Sequence, residues 1–259
     1  MLTRRHFLTA ATVAVPFSSM AKAAPGDRAA PADSFPSHPA ELVREVVTVA
    51  HFNLARVKEL VDARPALARA AWDWGFGDWE TALGAASHVG NRPIAEYLIE
   101  HGARPSLFSA TMLGQLDVVK AFVAAQPGVQ RIPGPHSIPL LAHAKAGGDR
   151  ALPVLQYLES IGDAGAPPLA PITADDMALL TGTYVYGSGP TERIEITVDR
   201  NQLYFTRKGT MARGLLHLGN RLFHPAGAAA VRVAFAGADR GEMTLTVHDA
   251  DLIVTARRV

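Results

Sequence analysis

Beyond residue 23 the chain carries nine histidines, and two of them occupy equivalent places. His51 and His88 each stand two residues before a turn residue, Asn53 and Gly90, that separates one short apolar-periodic stretch from the next. If those stretches stack, the two imidazoles lie near each other, as a pair suited to metal binding or proton transfer. Later stretches put Met112 and Lys145 at the same place, so the row ends at two donors. A zinc site normally needs three or four protein ligands. Polar or stacking roles are therefore expected for His51 and His88, with no metal and no other cofactor. His136 and His143 lie in "IPGPHSIPLLAHAKAGG", where Pro133, Pro135 and Pro139 stiffen a loop that presents His136. That loop is either a rigid recognition element or one that His136 braces by bonding a neighbouring backbone carbonyl, and pairing of buried polar groups favours the second.

A search for nucleophiles yields little. Ser19-Met20-Ala21-Lys22 has the Ser-x-x-Lys spacing of an acyl-transfer site, but it lies in an N-terminal stretch expected to be removed. Phosphate-loop, dinucleotide, nucleophile-elbow and His-Glu-x-x-His patterns are absent, and no catalytic residue is assigned. The other dense feature is "WDWGFGDW", which places Trp72, Trp74, Phe76 and Trp79 within eight residues, with Gly75 and Gly77 permitting a tight reversal. Rigid aromatics of this kind supply much of the binding energy at protein interfaces. In a hairpin, Trp72 and Trp74 share one face and Asp73 takes the other.

The elements that must position these residues fall into segments. Arg4-Arg5 before an apolar, alanine-rich stretch, with Ala21-Lys22-Ala23 at its end, reads as a twin-arginine export signal over residues 1–23. The run from Phe7 to Phe17 is far short of the roughly 20 residues that span a bilayer. The product is expected to be periplasmic or secreted, with no membrane span after cleavage. Residues 24–39 have the composition of a flexible tether. The signal takes Arg4, Arg5 and Lys22 from 25 basic residues, leaving 22 against 24 acidic ones, a net charge of −2 that argues against a nucleic-acid partner. With no cysteine, stability must come from packing.

Residues 40–163 show helical periodicity and an internal repeat. The stretch "TALGAASHVGN" followed by "IAEYLIEHGA" resembles an ankyrin repeat: a Thr-x-Leu start, paired small residues, a Gly turn, a second apolar helix and a closing Gly-Ala. Related units turn at Asn53, Gly114 and Gly147, giving about four repeats at intervals of 37, 24 and 33 residues. His143 takes a place usually held by alanine in such repeats. The resemblance implies a helical solenoid whose inter-repeat connections project along a concave, partner-binding side. Together, "DWGFGDWETALGAASHVGNRPIAEYLIEHGARP" and "GPHSIPLLAHAKAGG" resemble a subgroup of bacterial exported ankyrin-like proteins of unassigned function.

After a linker and short helix, 164–179, the period changes to two. Ile194, Ile196 and Val198, then Leu203 and Phe205, Val231, Val233 and Phe235, and Met243, Leu245 and Val247 alternate with polar or small residues. About eight antiparallel strands over 180–259, closing into a barrel-like domain, are expected. "LTGTY" at its start and "ARRV" at its end make it similar to the small domain appended to serine β-lactamase-like hydrolases, which implies no catalysis of its own.

Together these features predict an exported binding module for a protein or peptide, using Trp72, Trp74, Phe76, Trp79, His51, His88, His136 and His143. The alternative is a metal or small-ligand protein, or a hydrolase-like enzyme, with a pocket between the aromatic finger and the repeat histidines. A purely structural partner is a third possibility. Three histidines or carboxylates converging within metal-bonding distance separate the second from the others.

Overall fold

The computed structural model describes residues 32–259, so the export-signal reading and residues 24–31 of the tether lie outside the described residues. Residues 32–39 form a turn and extended chain. From Ala40 onward the chain is one compact unit made of a helical half and a β-barrel.

Four consecutive helix pairs build the helical half: α1 (Ala40–Val49) with α2 (Leu54–Ala63), α3 (Ala82–His88) with α4 (Arg92–Glu100), α5 (Leu107–Met112) with α6 (Leu116–Ala125), and α7 (Leu140–Ala146) with α8 (Leu152–Ile161). Short polar side chains start them. Asn53, Thr81 and Asn91 accept the first free backbone N–H groups of α2, α3 and α4, and Ser106 with Ser109 closes a capping box on α5. The first helices adjoin in sequence order, α1 with α3, α3 with α5 and α5 with α7. Small residues allow the approach: Ala82, Ala85 and Ala86 are fully buried on α3. Arg92 ties adjacent pairs by donating to the carbonyls of Met112 and Leu113 at the end of α5, groups that helix geometry leaves without partners.

Between α2 and α3 the aromatic stretch folds as a hairpin of β1 (Ala71–Asp73) and β2 (Trp79–Thr81), with Trp72 opposite Glu80. Its tip is Gly75-Phe76-Gly77, all at positive φ. The tight reversal expected from the two glycines is there.

After α9 (Ala174–Leu180), capped by the Thr173 side chain, eight strands close an antiparallel barrel. They are β3 (Gly182–Val185), β4 (Arg193–Asp199), β5 (Gln202–Arg207), β6 (Arg213–Gly219), β7 (Leu222–Pro225), β8 (Arg232–Ala236), β9 (Thr244–Asp249) and β10 (Leu252–Arg258). Alternate residues point inward and fill the interior, Tyr184, Ile196, Leu203, Phe223, Val233 and Leu245 among them, while Met177 and Leu180 of α9 join the same core. Among the described residues no helix is long and apolar enough to cross a membrane.

Gly90 shows how closely the helix pairs pack. Its φ is +75°, and a Cβ there would lie 2.1 Å from the carbonyl oxygen of Ala146 at the end of α7. Gly102, at φ +89°, has nothing within 4 Å of the same point. Gly90→Ala is therefore expected to lower stability by roughly 2–4 kcal/mol, combining left-handed strain with backbone overlap. Gly102→Ala pays only the strain, about 1–2 kcal/mol. Urea unfolding of both variants checks this, and equal losses would contradict the close contact.

Candidate metal centre

Asp78, just before β2, and Glu80 within it reverse the usual alternation. They point inward, with 3% and 1% of their surface exposed, while Trp79 between them is 64% exposed. Two carboxylates buried two residues apart are costly unless cations and hydrogen-bond donors surround them. The surroundings supply both.

Glu80 sits among three imidazoles. Its Oε2 lies 3.6 Å from His51 Nε2 and 3.4 Å from His136 Nε2, and its Oε1 lies 3.5 Å from His88 Nε2. Trp74 Nε1 donates to Oε2 at 2.8 Å. The donor atoms of His51, Glu80 and His136 all fall within 4.8 Å of one another. His88 completes the ring from the other carboxylate oxygen, with ring centroids 4.9 Å from His51 and 5.5 Å from His136. Glu80 Oε1 and His88 Nε2 are buried without a hydrogen-bond partner among the described residues.

Backbone and carboxylate acceptors fix the ring orientations. His51 Nδ1 faces the carbonyls of Thr48 and Val47 at 2.9 and 3.2 Å, which makes Nδ1 the donor and leaves Nε2 directed at Glu80. His136 Nδ1 donates to Asp78 Oδ2 at 2.7 Å. A carboxylate on the remote nitrogen of a histidine, with the near nitrogen left for an ion, is the arrangement that metal sites use to set tautomer and basicity.

Asp78 joins three parts of the chain. Its Oδ1 accepts the backbone N–H of His136 at 2.9 Å, and its Oδ2 accepts both the His136 ring and Nη1 of the buried Arg213 on β6, at 2.8 Å. His136 and Ser137 both have φ of +60°, a conformation that costs about 1–3 kcal/mol per non-glycine residue. The Asp78 bonds hold His136 there, and Ser137 Oγ accepts the N–H of Gly227 in the barrel at 2.7 Å. Gly227 is itself constrained: at φ +81°, any Cβ would overlap the Asp78 carboxylate.

Burial opposes charge on His136, but hydrogen bonds and Coulombic attraction from Asp78 and Glu80 outweigh it and hold its pKa up at about 9. His88 goes the other way, pushed down to about 4 chiefly by burial, and is a neutral lone-pair donor at pH 7. Burial tends to raise Asp78 and Glu80, yet the facing His136 brings both below their ordinary values. The group is thus two carboxylates, the His136 imidazolium, the Arg213 guanidinium and the neutral His88 imidazole, with the His51 ring beside them. It can hold a proton tightly or exchange it for a metal ion.

Each residue expected at a site has a definite place. His51 and His88 are neighbours, as their equivalent positions imply. The row of equivalent positions contributes two imidazoles, and the further donors, His136 and Glu80, come from outside the repeat pattern. His136 braces its loop through the Asp78 carboxylate, not through a neighbouring carbonyl. His143 is fully buried on α7, its Nδ1 paired with Pro139 O and its ring against Phe108. Trp72 and Trp74 pack on the helical core, whereas Phe76 packs on the barrel core, 5.8 Å from the Phe205 ring. Of the four hairpin aromatics only Trp79 is exposed, the other three being half-buried.

The sequence reading overlooked Asp78, Glu80 and Arg213. Asp78 and Glu80 carried a signal in their i, i+2 spacing, which puts both acids on one face of a strand. Arg213 lies 135 residues from Asp78 and carried none. No family model, curated protein or solved structure matches the chain.

Arg213→Met would leave Asp78 buried without its guanidinium. Loss of one partner of a buried pair costs about 3–5 kcal/mol. Equilibrium urea unfolding should show a destabilisation of that size, and a loss below about 1 kcal/mol would mean that water reaches the pair, as at a surface bridge.

Proposed function

We propose that the protein is a metal-binding protein, with a divalent first-row transition ion held by His51, His136 and Glu80 and with His88 against the other oxygen of the Glu80 carboxylate. The single observation that carries this is the convergence of three imidazole nitrogens on one fully buried carboxylate at 3.4–3.6 Å. A tetrahedral ion with bonds of about 2.0–2.1 Å sets its donors about 3.3 Å apart, so these contacts match the edges of a coordination polyhedron. The His51 and His88 contacts, at 3.6 and 3.5 Å, are too long for good hydrogen bonds. The partnerless Glu80 Oε1 and His88 Nε2 point the same way, since buried polar atoms otherwise find partners. A nitrogen-rich set with one carboxylate and no thiolate suits zinc, and also iron, cobalt or nickel.

The four helix pairs fit an ankyrin-like stack, given the Thr81-x-Leu83 start and the turns at Gly90, Gly114 and Gly147. In this reading the stack serves mainly to align His51 with His88. A concave protein-binding surface has less support, because most residues expected there are engaged inside the molecule. Export to the periplasm, proposed from residues 1–23, would place the centre in a compartment reached by folded, ion-loaded chains.

Protein stripped with chelator and dialysed should take up one equivalent of Zn²⁺ or Co²⁺, measured by elemental analysis and calorimetry. Asp78→Asn should weaken binding roughly 10–100-fold, as changes behind a ligand do. Glu80→Gln and His136→Ala should weaken it by more than that, and His224→Ala, in the barrel, should leave it unchanged. Uptake that survives His136→Ala in a protein with a native circular dichroism spectrum would overturn the assignment.

A further inference from the structure

Exposure falls steadily across the proposed centre. The side chains of His51 and His136 are 23% and 19% exposed, His88 is 9% and Glu80 is 0%. An ion held there is closed on the Glu80 and His88 side and open between His51 and His136. That opening is the wall of a cleft of about 450 Å³, bounded by His51, His136, Trp74, Arg44, Phe52 and Met211.

The cleft has a definite chemical character. No aspartate or glutamate lines it, and the guanidinium of Arg44 has no carboxylate within ion-pair distance among the described residues. An adjoining cleft of about 220 Å³ shares Trp74, Thr210 and Met211, adds Arg207 and the Asp78-paired Arg213, and again has no acid among its lining residues. Such a one-sign concavity concentrates small anions. Its remaining surface is apolar: Phe52 is 68% exposed, Met211 is 42% exposed, and the Trp74 ring is fixed by its hydrogen bond to Glu80. Mostly apolar walls with a few converging polar groups are typical of small-molecule sites.

Resting on the metal-centre reading, we infer that the cleft takes a small organic carboxylate with an apolar body, its oxygen completing the coordination of the ion. The carboxylate meets the ion between His51 and His136, with Arg44 as a second positive charge. The body lies against Trp74, Phe52 and Met211. A cationic or purely inorganic ligand fits this surface less well, the first because of the charges and the second because it leaves the apolar wall uncovered.

Protein loaded with Co²⁺ separates this inference from the reading beneath it, because the visible spectrum of cobalt reports both the site and any exogenous ligand. Phenylacetate, acetate, inorganic phosphate and 2-phenylethylammonium serve as probes, with tryptophan emission followed in parallel. Phenylacetate should change the cobalt bands and quench emission, at concentrations at least about tenfold below acetate, since burying the ring is worth a factor of this size or more. Arg44→Gln should weaken phenylacetate roughly two- to fivefold, as expected of an exposed pair, and leave cobalt affinity unchanged. A normal cobalt spectrum that none of the anions perturbs would overturn the carboxylate site alone. Tighter binding by phosphate would overturn the apolar body, and binding by 2-phenylethylammonium would overturn the charge assignment. Absence of any bound-cobalt spectrum would overturn the metal reading itself.

Discussion

Burying Asp78 and Glu80 on one edge of a two-stranded hairpin is the constraint to which the surrounding structure responds. Each ion taken from water costs several kcal/mol even after the protein relaxes. Glu80 is met by three imidazoles and the Trp74 indole, and Asp78 by the His136 ring, a backbone N–H and the Arg213 guanidinium. Their partners come from the turn after α1, from α3, from the hairpin itself, from the loop before α7 and from the barrel strand β6. A fold that needed the hairpin only to link two helix pairs would gain more from apolar residues at both positions, since replacing a buried ion pair by packed hydrophobic residues is often neutral or stabilising. The arrangement makes sense as a site whose charge is kept for a ligand.

The hairpin also explains how two dissimilar halves make one unit. Trp72 and Trp74 extend the helical core while Phe76, two residues beyond, enters the edge of the barrel core. Phe76 reaches Phe205 because it adopts a left-handed conformation, φ +58°, between two glycines. The barrel, filled by its own side chains, contributes to the centre through contacts from outside its interior: Arg213 on Asp78, the Gly227 N–H on Ser137, and the Ala226 carbonyl that accepts from Arg213.

Local patterns carried most of the fold. Periodicity of 3.6 followed by periodicity of two marks the helical half and the eight strands, and the caps at Asn53, Thr81, Asn91 and Thr173 follow from short polar side chains before apolar runs. The neighbouring positions of His51 and His88 were legible for the same reason, because they occupy one place in a repeat. Glu80 was not. In an aromatic hairpin, hydrophobicity argues for burying Trp79 and exposing the acids, and only tertiary partners reverse that preference. Arg213 and Gly227 lie still further from any local rule, since their roles depend on how the barrel docks.

That dependence gives the barrel a consequence for the proposed centre. The Arg213 guanidinium polarises Asp78, Asp78 fixes the His136 ring through Nδ1, and Nε2 of the same ring faces Glu80 across 3.4 Å. The loop carrying His136 is strained at two successive residues, so without these contacts it would relax to ordinary backbone angles and draw the imidazole away. His51 and His88 need no such support, because each is set on or beside a helix of the stack. The centre therefore has two rigid donors supplied by repetition, and a third donor whose position depends on the barrel being in place. On the proposed metal reading, ion binding and docking of the two halves are linked: whatever loosens the barrel contact would weaken the third ligand, and an ion on that ligand would stabilise the contact in return.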